Sequence, residues 1–236
     1  MALPINTTPI YTLTVPSTKE NIKYRPFLVK EEKALLIAQQ SDDENIMIDT
    51  LKTVIKSCVK SELDIEKLAI FDLEYIFAQI RAKSVGELVD LIFSCDICNS
   101  DKAKVKITFD LTKLAVNFPA GHSAQIELGN GTGIKMRYPD LSMLKTTAIN
   151  ETDISTIFNV IIDCIDFIYT SDEIYYAREQ SRAELQEFIE SLTSKQFEQL
   201  QTFFETMPKL QQAVDYKCPV CGAEHHRYLE GISSFF

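Results

Sequence analysis

The chain has 236 residues, of which 45% are hydrophobic and 25% are charged, a balance that is typical of a globular protein and argues against a disordered chain. Its formal net charge is −10. Such an acidic balance disfavours nucleic acid as the main partner, because binding to the phosphate backbone requires clustered lysine and arginine side chains.

The first third of the chain combines extended segments with helices. YTLTV alternates in polarity and predicts a strand, and NIKYRPFLV carries Pro26, which suits an edge strand or a turn. Helical patterns follow in KEEKALLIAQQ, in SDDENIMIDTLKTVIKSCVK and in FDLEYIFAQIRAKS. In the last of these, Leu73, Phe77 and Ile80 fall on one face, which predicts a helix that packs on a core.

The middle of the chain changes to a strand pattern. GELVDLIFS is rich in apolar residues, and AKVKITF places Val105, Ile107 and Phe109 on one side and polar residues on the other. SAQIEL and GIKMRY repeat the alternation on either side of GNGTG, which predicts a hairpin. We therefore expect the middle of the chain to be mainly antiparallel sheet.

Helices are expected again from residue 140 onward. The apolar run ISTIFNVIIDCIDFIY is interrupted by Asn159, Asp163 and Asp166, whose spacing makes a polar stripe on a helix, so we predict a core helix and no membrane span. SRAELQEFIESL and TSKQFEQLQTFFETMP each begin with the spacing of a capping box. AVDYK and EHHRYLEG then return to a strand pattern.

These patterns together predict an α+β fold with helical N-terminal and C-terminal segments around antiparallel strands. We expect a single interwoven domain over residues 1–236. Three parts of the chain are considered within it: a strand and helical part over 1–85, a zinc-clipped β part over 86–139 plus 210–236, and a helical part over 140–209.

Four of the six cysteines carry the strongest chemical signal. They form two CxxC pairs, Cys95 with Cys98 and Cys218 with Cys221, and each pair lies between two strand-like segments. A zinc knuckle has this arrangement, since a hairpin tip presents two thiolates, and Zn²⁺ takes four ligands in a tetrahedron. The first twenty residues have no secretory signal pattern, so a reducing cytosolic compartment is expected and metal binding is favoured over disulfides. We predict one zinc site that the four cysteines share, although residues 99–217 separate the pairs.

The residues around the pairs support this prediction. Gly222 and Asn99 follow the second cysteine of their pairs, and both residue types tolerate the positive φ that turns backbone amides toward sulfur. A thioredoxin-like redox pair would require a helix N-terminus, which neither pair has. His225 and His226 are adjacent on a strand, so we expect one to pack near the knuckle and the other to be exposed. Whether either contributes to the site stays open, as does whether the metal is zinc or another ion that prefers thiolates.

Patterns of known catalytic sites are not found in the sequence. It contains no GxSxG, no HExxH and no P-loop. A zinc ion held by four cysteines also has no open position for a reacting water. We therefore expect a protein that is not an enzyme and has no small-molecule substrate.

The stretches YRPFLVKEEKALLIAQQSDD, FDLEYIFAQIRAKSVGELVDL and LTSKQFEQLQTFFETMPKL, taken with the CDIC and CPVC knuckles, resemble a family of baseplate hub proteins from T-even-like contractile-tailed bacteriophages. The resemblance covers residues 20–230. It implies a virus-encoded, non-enzymatic protein that either builds the central hub of the tail baseplate or helps the hub to assemble. Its partners would be other hub proteins. The resemblance implies no catalytic residues, and the only residues taken over from it are those of a metal site: Cys95, Cys98, Cys218 and Cys221.

The preferred hypothesis is therefore a structural or assembly protein of the baseplate hub with a structural Cys₄ zinc site. It would act in the host cytoplasm during assembly, and whether it stays in the virion is left open. One alternative is a zinc-ribbon protein that binds nucleic acid, for which the basic residues near the knuckles are Lys102, Lys104, Lys106, Lys217 and Arg227. Another is a redox-regulated chaperone that releases zinc on oxidation. The segments PIYTLTV and GISSFF are candidate assembly surfaces.

Overall fold

The computed structural model of the protein describes residues 7–41, 43–141, 143 and 154–231. The α-helices whose bounds are described are α1 (Val29–Gln39), α2 (Glu44–Cys58), α3 (Ile70–Ser84), α4 (Ile154–Asp163), α5 (Arg182–Glu190) and α6 (Ser194–Thr206). The strands are β1 (Tyr11–Thr14), β2 (Asn21–Tyr24), β3 (Leu88–Ser94), β4 (Lys104–Asp110), β5 (Val116–Asn117), β6 (Gln125–Gly129), β7 (Thr132–Met136), β8 (Ile165–Tyr169), β9 (Ile174–Tyr176), β10 (Lys209–Lys217) and β11 (Glu224–Glu230). The strand pairings are all antiparallel in the part of the chain that the structure describes.

The predicted mixture of helix and antiparallel sheet is confirmed, whereas helical segments at the two ends of the chain are not. The described chain begins with the hairpin of β1 and β2 and closes with the hairpin of β10 and β11. The candidate surface PIYTLTV supplies β1, which pairs with β2 from Tyr11 opposite Tyr24 to Thr14 opposite Asn21. The segments of alternating polarity at both ends of the described chain thus form hairpins, and the helices come between these hairpins in the sequence.

The chain divides into two compact units. The first comprises Met1–Ile65, Phe71–Asn117 and Lys209–Phe236, and the second comprises Glu66–Ile70 and Phe118–Pro208. Whether the two form one interwoven domain, as the sequence leads us to expect, stays a prediction.

The core of the first unit draws on separate parts of the chain. The predicted face of α3 is buried, with Leu73, Phe77 and Ile80 at 6%, 0% and 0% exposure. Residues of α3 also pack in one apolar cluster with β3, β10 and the turn after β4; the cluster contains Ala78, Ala82, Val89, Leu111, Leu114 and Leu210. Strand β10 pairs with both β11 and β5, and these three strands belong to the same unit as the hairpin of β3 and β4.

The second unit is built on a four-stranded sheet in the order β6-β7-β8-β9. Helices α4, α5 and α6 share one apolar core with this sheet, and its most buried members include Ile134, Ile161, Ile189 and Leu200. The predicted capping boxes of α5 and α6 are both present, since Ser181 and Thr193 each accept a backbone N–H from the third helical residue. The predicted GNGTG hairpin also forms and joins β6 to β7.

The prediction of one helix over ISTIFNVIIDCIDFIY is wrong in its second half. Helix α4 ends at Asp163, whose carbonyl accepts hydrogen bonds from the Arg137 guanidinium at 2.7 and 2.9 Å. The next residues form β8 and pair with β7. A short apolar run does not distinguish a buried helix from a buried strand, and the β-branched and aromatic residues of IDFIY favour a strand.

Two further expectations concern residues outside those described. The first is the helix expected from residue 140 onward, in the part that covers residues 144–153. The second is the candidate assembly surface GISSFF, in the part that follows Gly231. Among the residues that the structure does describe, no helix combines the length and the apolar character needed to cross a bilayer.

Candidate metal centre

The four CxxC cysteines lie at the tips of two hairpins of the first unit. Strands β3 and β4 pair from Leu88 opposite Asp110 to Ser94 opposite Lys104, so Cys95 follows directly on the last pair. Strands β10 and β11 end in the same way at Lys217 opposite Glu224, and Cys218 comes next. Each ladder therefore delivers the first cysteine of its pair at the point where the strands separate.

The two turns have a matching backbone geometry. The Cys95 amide donates to the Ala103 carbonyl at 3.2 Å, and the Cys218 amide donates to the Ala223 carbonyl at 2.8 Å. The predicted positive φ is confirmed at both turns, with 46° at Asn99 and 75° at Gly222. In the second turn, the amides of Val220 and Cys221 point at the Cys218 sulfur, at 3.4 and 3.5 Å.

The tips bring all four sulfur atoms together. The Sγ atoms of Cys95 and Cys221 are 3.7 Å apart, those of Cys98 and Cys218 are 3.8 Å apart, and all four lie within 4.8 Å of one another. Four sulfurs bound at about 2.3 Å around a tetrahedral Zn²⁺ would be separated by about 3.8 Å. The geometry is thus compatible with a zinc ion, and the donor set is one that zinc prefers. That these residues bind metal stays a prediction.

The surroundings of the Cys218 sulfur favour its thiolate, whereas the pKa values of Cys98 and Cys221 are raised. Cys95 and Cys218 are each 2% exposed and pack against Ala103, whereas Cys221 is exposed. Backbone hydrogen bonds, first from Cys221 and then from Val220, hold the pKa of Cys218 below its usual value. A lowered pKa favours the thiolate, which is the form that binds metal ions.

The two adjacent histidines point in different directions, as predicted. The His225 side chain is 6% exposed, and its Nε2 lies 3.2 Å from the Cys95 sulfur. The His226 side chain is 56% exposed and contacts Asp215. Sequence analysis did not identify the neighbours of His225, which are Asp96 and Tyr216. The register of the last hairpin could have identified Tyr216, because this residue stands opposite His225 across β10 and β11.

The basic residues around the knuckles are mostly matched by acids. Ion pairs join Lys106 to Asp90 at 2.7 Å, Arg227 to Asp96 at 2.8 Å and Lys217 to Glu224 at 3.8 Å. A carboxylate beside a cation weakens the positive potential that phosphate binding requires. These pairs therefore weigh against the nucleic-acid alternative.

The remaining histidine, His122, belongs to the second unit and has a structural environment. Its Nδ1 is 3.0 Å from the Thr206 hydroxyl, and its Nε2 is 3.0 Å from the Tyr138 hydroxyl. The Thr206 hydroxyl donates to the Thr202 carbonyl at 2.7 Å, so it accepts from Nδ1–H, and Nε2 is left to accept from Tyr138. Burial lowers the pKa of His122, which agrees with a neutral ring that is satisfied at both nitrogens.

Comparisons with known proteins place almost the whole chain in one family. A family model described as "T4 bacteriophage base plate protein" matches residues 8–236. The baseplate hub assembly protein gp26 of Enterobacteria phage T4 is 23% identical over 227 residues, which cover 96% of this chain and 97% of that protein. No solved structure matches the chain significantly. The resemblance found in the sequence is therefore confirmed, and the chain belongs to the family of T4 bacteriophage base plate proteins.

Proposed function

We propose that the protein is a non-enzymatic structural or assembly component of the baseplate hub of a contractile phage tail. The observation that carries this proposal is the match to the hub assembly protein gp26, which covers almost all of both chains. Its partners are then other baseplate hub proteins. It acts in the host cytoplasm while the tail is built, or as part of the tail itself.

We further propose that Cys95, Cys98, Cys218 and Cys221 hold one structural Zn²⁺. Support comes from the sulfur separations of 3.7 and 3.8 Å, which agree with tetrahedral coordination. Four thiolates fill the coordination sphere and leave no position for a substrate or a reacting water. The ion would therefore stabilise the two hairpins, and the protein would bind its partners through its surface and not through the metal.

Co-expression tests the assembly role. The tagged chain is expressed with each candidate hub protein of the same phage, and complexes are captured at moderate salt and analysed by size-exclusion chromatography. We expect a stable complex with at least one hub protein and none with a tail-tube protein that serves as the control. If no hub protein is retained, the assembly role is wrong.

Metal analysis of the same preparations tests the zinc site separately. We expect about one zinc per chain in the wild type, since one tetrahedral site uses all four cysteines. A variant with both Cys95→Ser and Cys218→Ser should contain almost none. Less than half an equivalent in the freshly purified wild type would contradict the zinc site and leave the assembly role untouched.

A further inference from the structure

The ring of His225 lies against the metal centre although it is not one of the four cysteines. Its Nε2 is 3.2 Å from the Cys95 sulfur, and its side chain is almost fully buried at 6% exposure. A metal-bound thiolate has no hydrogen to donate, so the ring nitrogen is the donor in this contact. A hydrogen bond of this kind stabilises the negative charge of the thiolate and fixes the position of the sulfur.

Ring stacking holds His225 in place beside Cys95. The hairpin register puts Tyr216 opposite His225, and the two rings are stacked with centroids 4.7 Å apart and planes 14° apart. The Tyr216 hydroxyl donates to the Ser94 carbonyl at 3.0 Å, one residue before Cys95. The stack therefore links the second hairpin to the first directly next to the sulfur that His225 contacts.

A carboxylate lies near the other nitrogen of the same ring. Asp96 follows Cys95 in the first knuckle, and its Oδ1 lies 3.4 Å from Nδ1 of His225. Its Oδ2 accepts a hydrogen bond from Arg227 at 2.8 Å. His225 and Arg227 are two residues apart on β11 and so point to the same side of the strand. A polar chain of four side chains thus runs between the two hairpins and ends on the sulfur of Cys95.

We propose that His225 is a positioning residue of the metal centre, which donates a hydrogen bond to the Cys95 thiolate and so strengthens the binding of Zn²⁺. This inference rests on the proposed zinc site and adds a fifth residue to it. Partners of metal ligands commonly change metal affinity by about 10–100-fold. We expect His225→Phe, which keeps a stacking ring and removes the N–H, to weaken Zn²⁺ binding by about this factor while about one ion per chain is still bound.

Cobalt substitution separates the hydrogen bond from simple packing. Tetrahedral Co²⁺ bound by thiolates absorbs through charge transfer from sulfur to metal, and the energy of this band falls when the sulfur becomes richer in electrons. Full-length wild type, His225→Phe, His225→Gln and His226→Phe are loaded with Co²⁺ and their spectra are compared. We expect the band of His225→Phe to move to lower energy. His225→Gln keeps an N–H donor and should lie nearer the wild type, and His226→Phe, at the exposed neighbouring position, should match the wild type.

The outcomes distinguish this inference from the zinc site itself. If the wild type shows the thiolate band and His225→Phe has the same band and the same Zn²⁺ affinity, the role of His225 is wrong and the zinc site stands. A wild type without the band would overturn both. Should His225→Phe not fold, His225→Leu, which also lacks the N–H, is compared with His225→Gln: a band at lower energy and a weaker Zn²⁺ affinity for His225→Leu support the N–H donor, and equal bands and affinities for the two variants overturn it.

Discussion

The sulfur atoms of Cys98 and Cys218 lie 3.8 Å apart, although residues 99–217 separate them in the chain. The contact joins the tips of two hairpins, each of which already has its own ladder of backbone hydrogen bonds. In the chain-entropy picture, a crosslink that closes a loop of 100 residues contributes about 4.7 kcal/mol to stability. A metal ion held by both tips would therefore contribute to the folding of the first unit as well as to its local geometry.

Replacement of one proposed ligand should destabilise the first unit. We expect Cys218→Ser to lower the melting temperature by about 10 °C or more, because zinc binding is coupled to folding. Val220→Ser, at a 52% exposed position of the same turn, is the matched control and should melt like the wild type. Thermal unfolding followed by circular dichroism measures both. Equal melting temperatures for Cys218→Ser and the wild type would count against a structural metal.

Removal of the metal should reproduce the effect of losing the ligand. We expect a strong chelator to lower the melting temperature of the wild type, and added Zn²⁺ to restore it, because a ligand that binds only the folded state raises stability by mass action. The same chelator should have almost no effect on Cys218→Ser. Differential scanning calorimetry of the two proteins, with and without chelator, gives the comparison. A chelator effect of equal size in both would show that it acts elsewhere.

A buried ion pair at the start of α1 should make an acid-sensitive contribution to stability. Glu31 is 6% exposed and accepts from Arg25 at 2.8 Å and from the Leu28 amide at 2.7 Å. Burial alone would raise the pKa of Glu31, but these hydrogen bonds, with the charges of Arg25 and Lys30, lower it to about 2. We expect Glu31→Gln to cost about 3 kcal/mol of unfolding free energy at neutral pH, since it leaves the Arg25 charge buried and unpaired.

The pH dependence gives this prediction a second test. The unfolded carboxyl has a pKa of 4.5 and the folded one a pKa of about 2, so the unfolded state binds more protons between these values. The stabilisation is complete above pH 4.5 and disappears as the pH falls toward 2. Urea unfolding across this range should show a steeper acid loss for the wild type than for Glu31→Gln. Glu32→Gln, which changes an exposed carboxylate in the same helical turn, should keep the wild-type slope.

His122 should give the second unit a separate dependence on pH. Burial lowers the pKa of His122 from its ordinary value of 6.5, so the unfolded state takes up a proton before the folded state does. Stability is therefore complete above pH 6.5 and declines on acidification through the folded pKa. We expect His122→Phe to flatten the stability profile just below pH 6.5, as measured by urea unfolding with tyrosine fluorescence. Parallel profiles for the variant and the wild type would contradict this.

The sequence was most informative where one physical pattern dominates. The face of α3 that carries Phe77 and Ile80, the alternation along β4 and the capping box at Ser181 are each decided by neighbours within a few residues. All three were predicted and are confirmed. The meeting of the CxxC pairs was also expected, because Zn²⁺ takes four ligands and each pair supplies two.

The rest depends on contacts that sequence spacing does not contain. Strand β8 was predicted as helix because its apolar residues fit either structure until β7 pairs with it. The contact between His225 and Cys95 joins two hairpins whose register is known only after both have formed. The second and third stretches of the first unit are joined by the pairing of β10 with β5, and no local pattern marks this pairing.

The order in which the cysteines appear in the chain also has a consequence in time. A ribosome adds about 5–20 residues per second, so the second hairpin emerges on the order of ten seconds after the first. During that interval Cys95 and Cys98 offer only half of the proposed coordination sphere, while Phe118–Pro208, the larger part of the second unit, is synthesised. A chain that stops before Cys218 would keep an incomplete site, with two thiolates available to oxidants or to stray metal ions. Completion of the metal centre would then mark the chains whose translation has reached the last two strands.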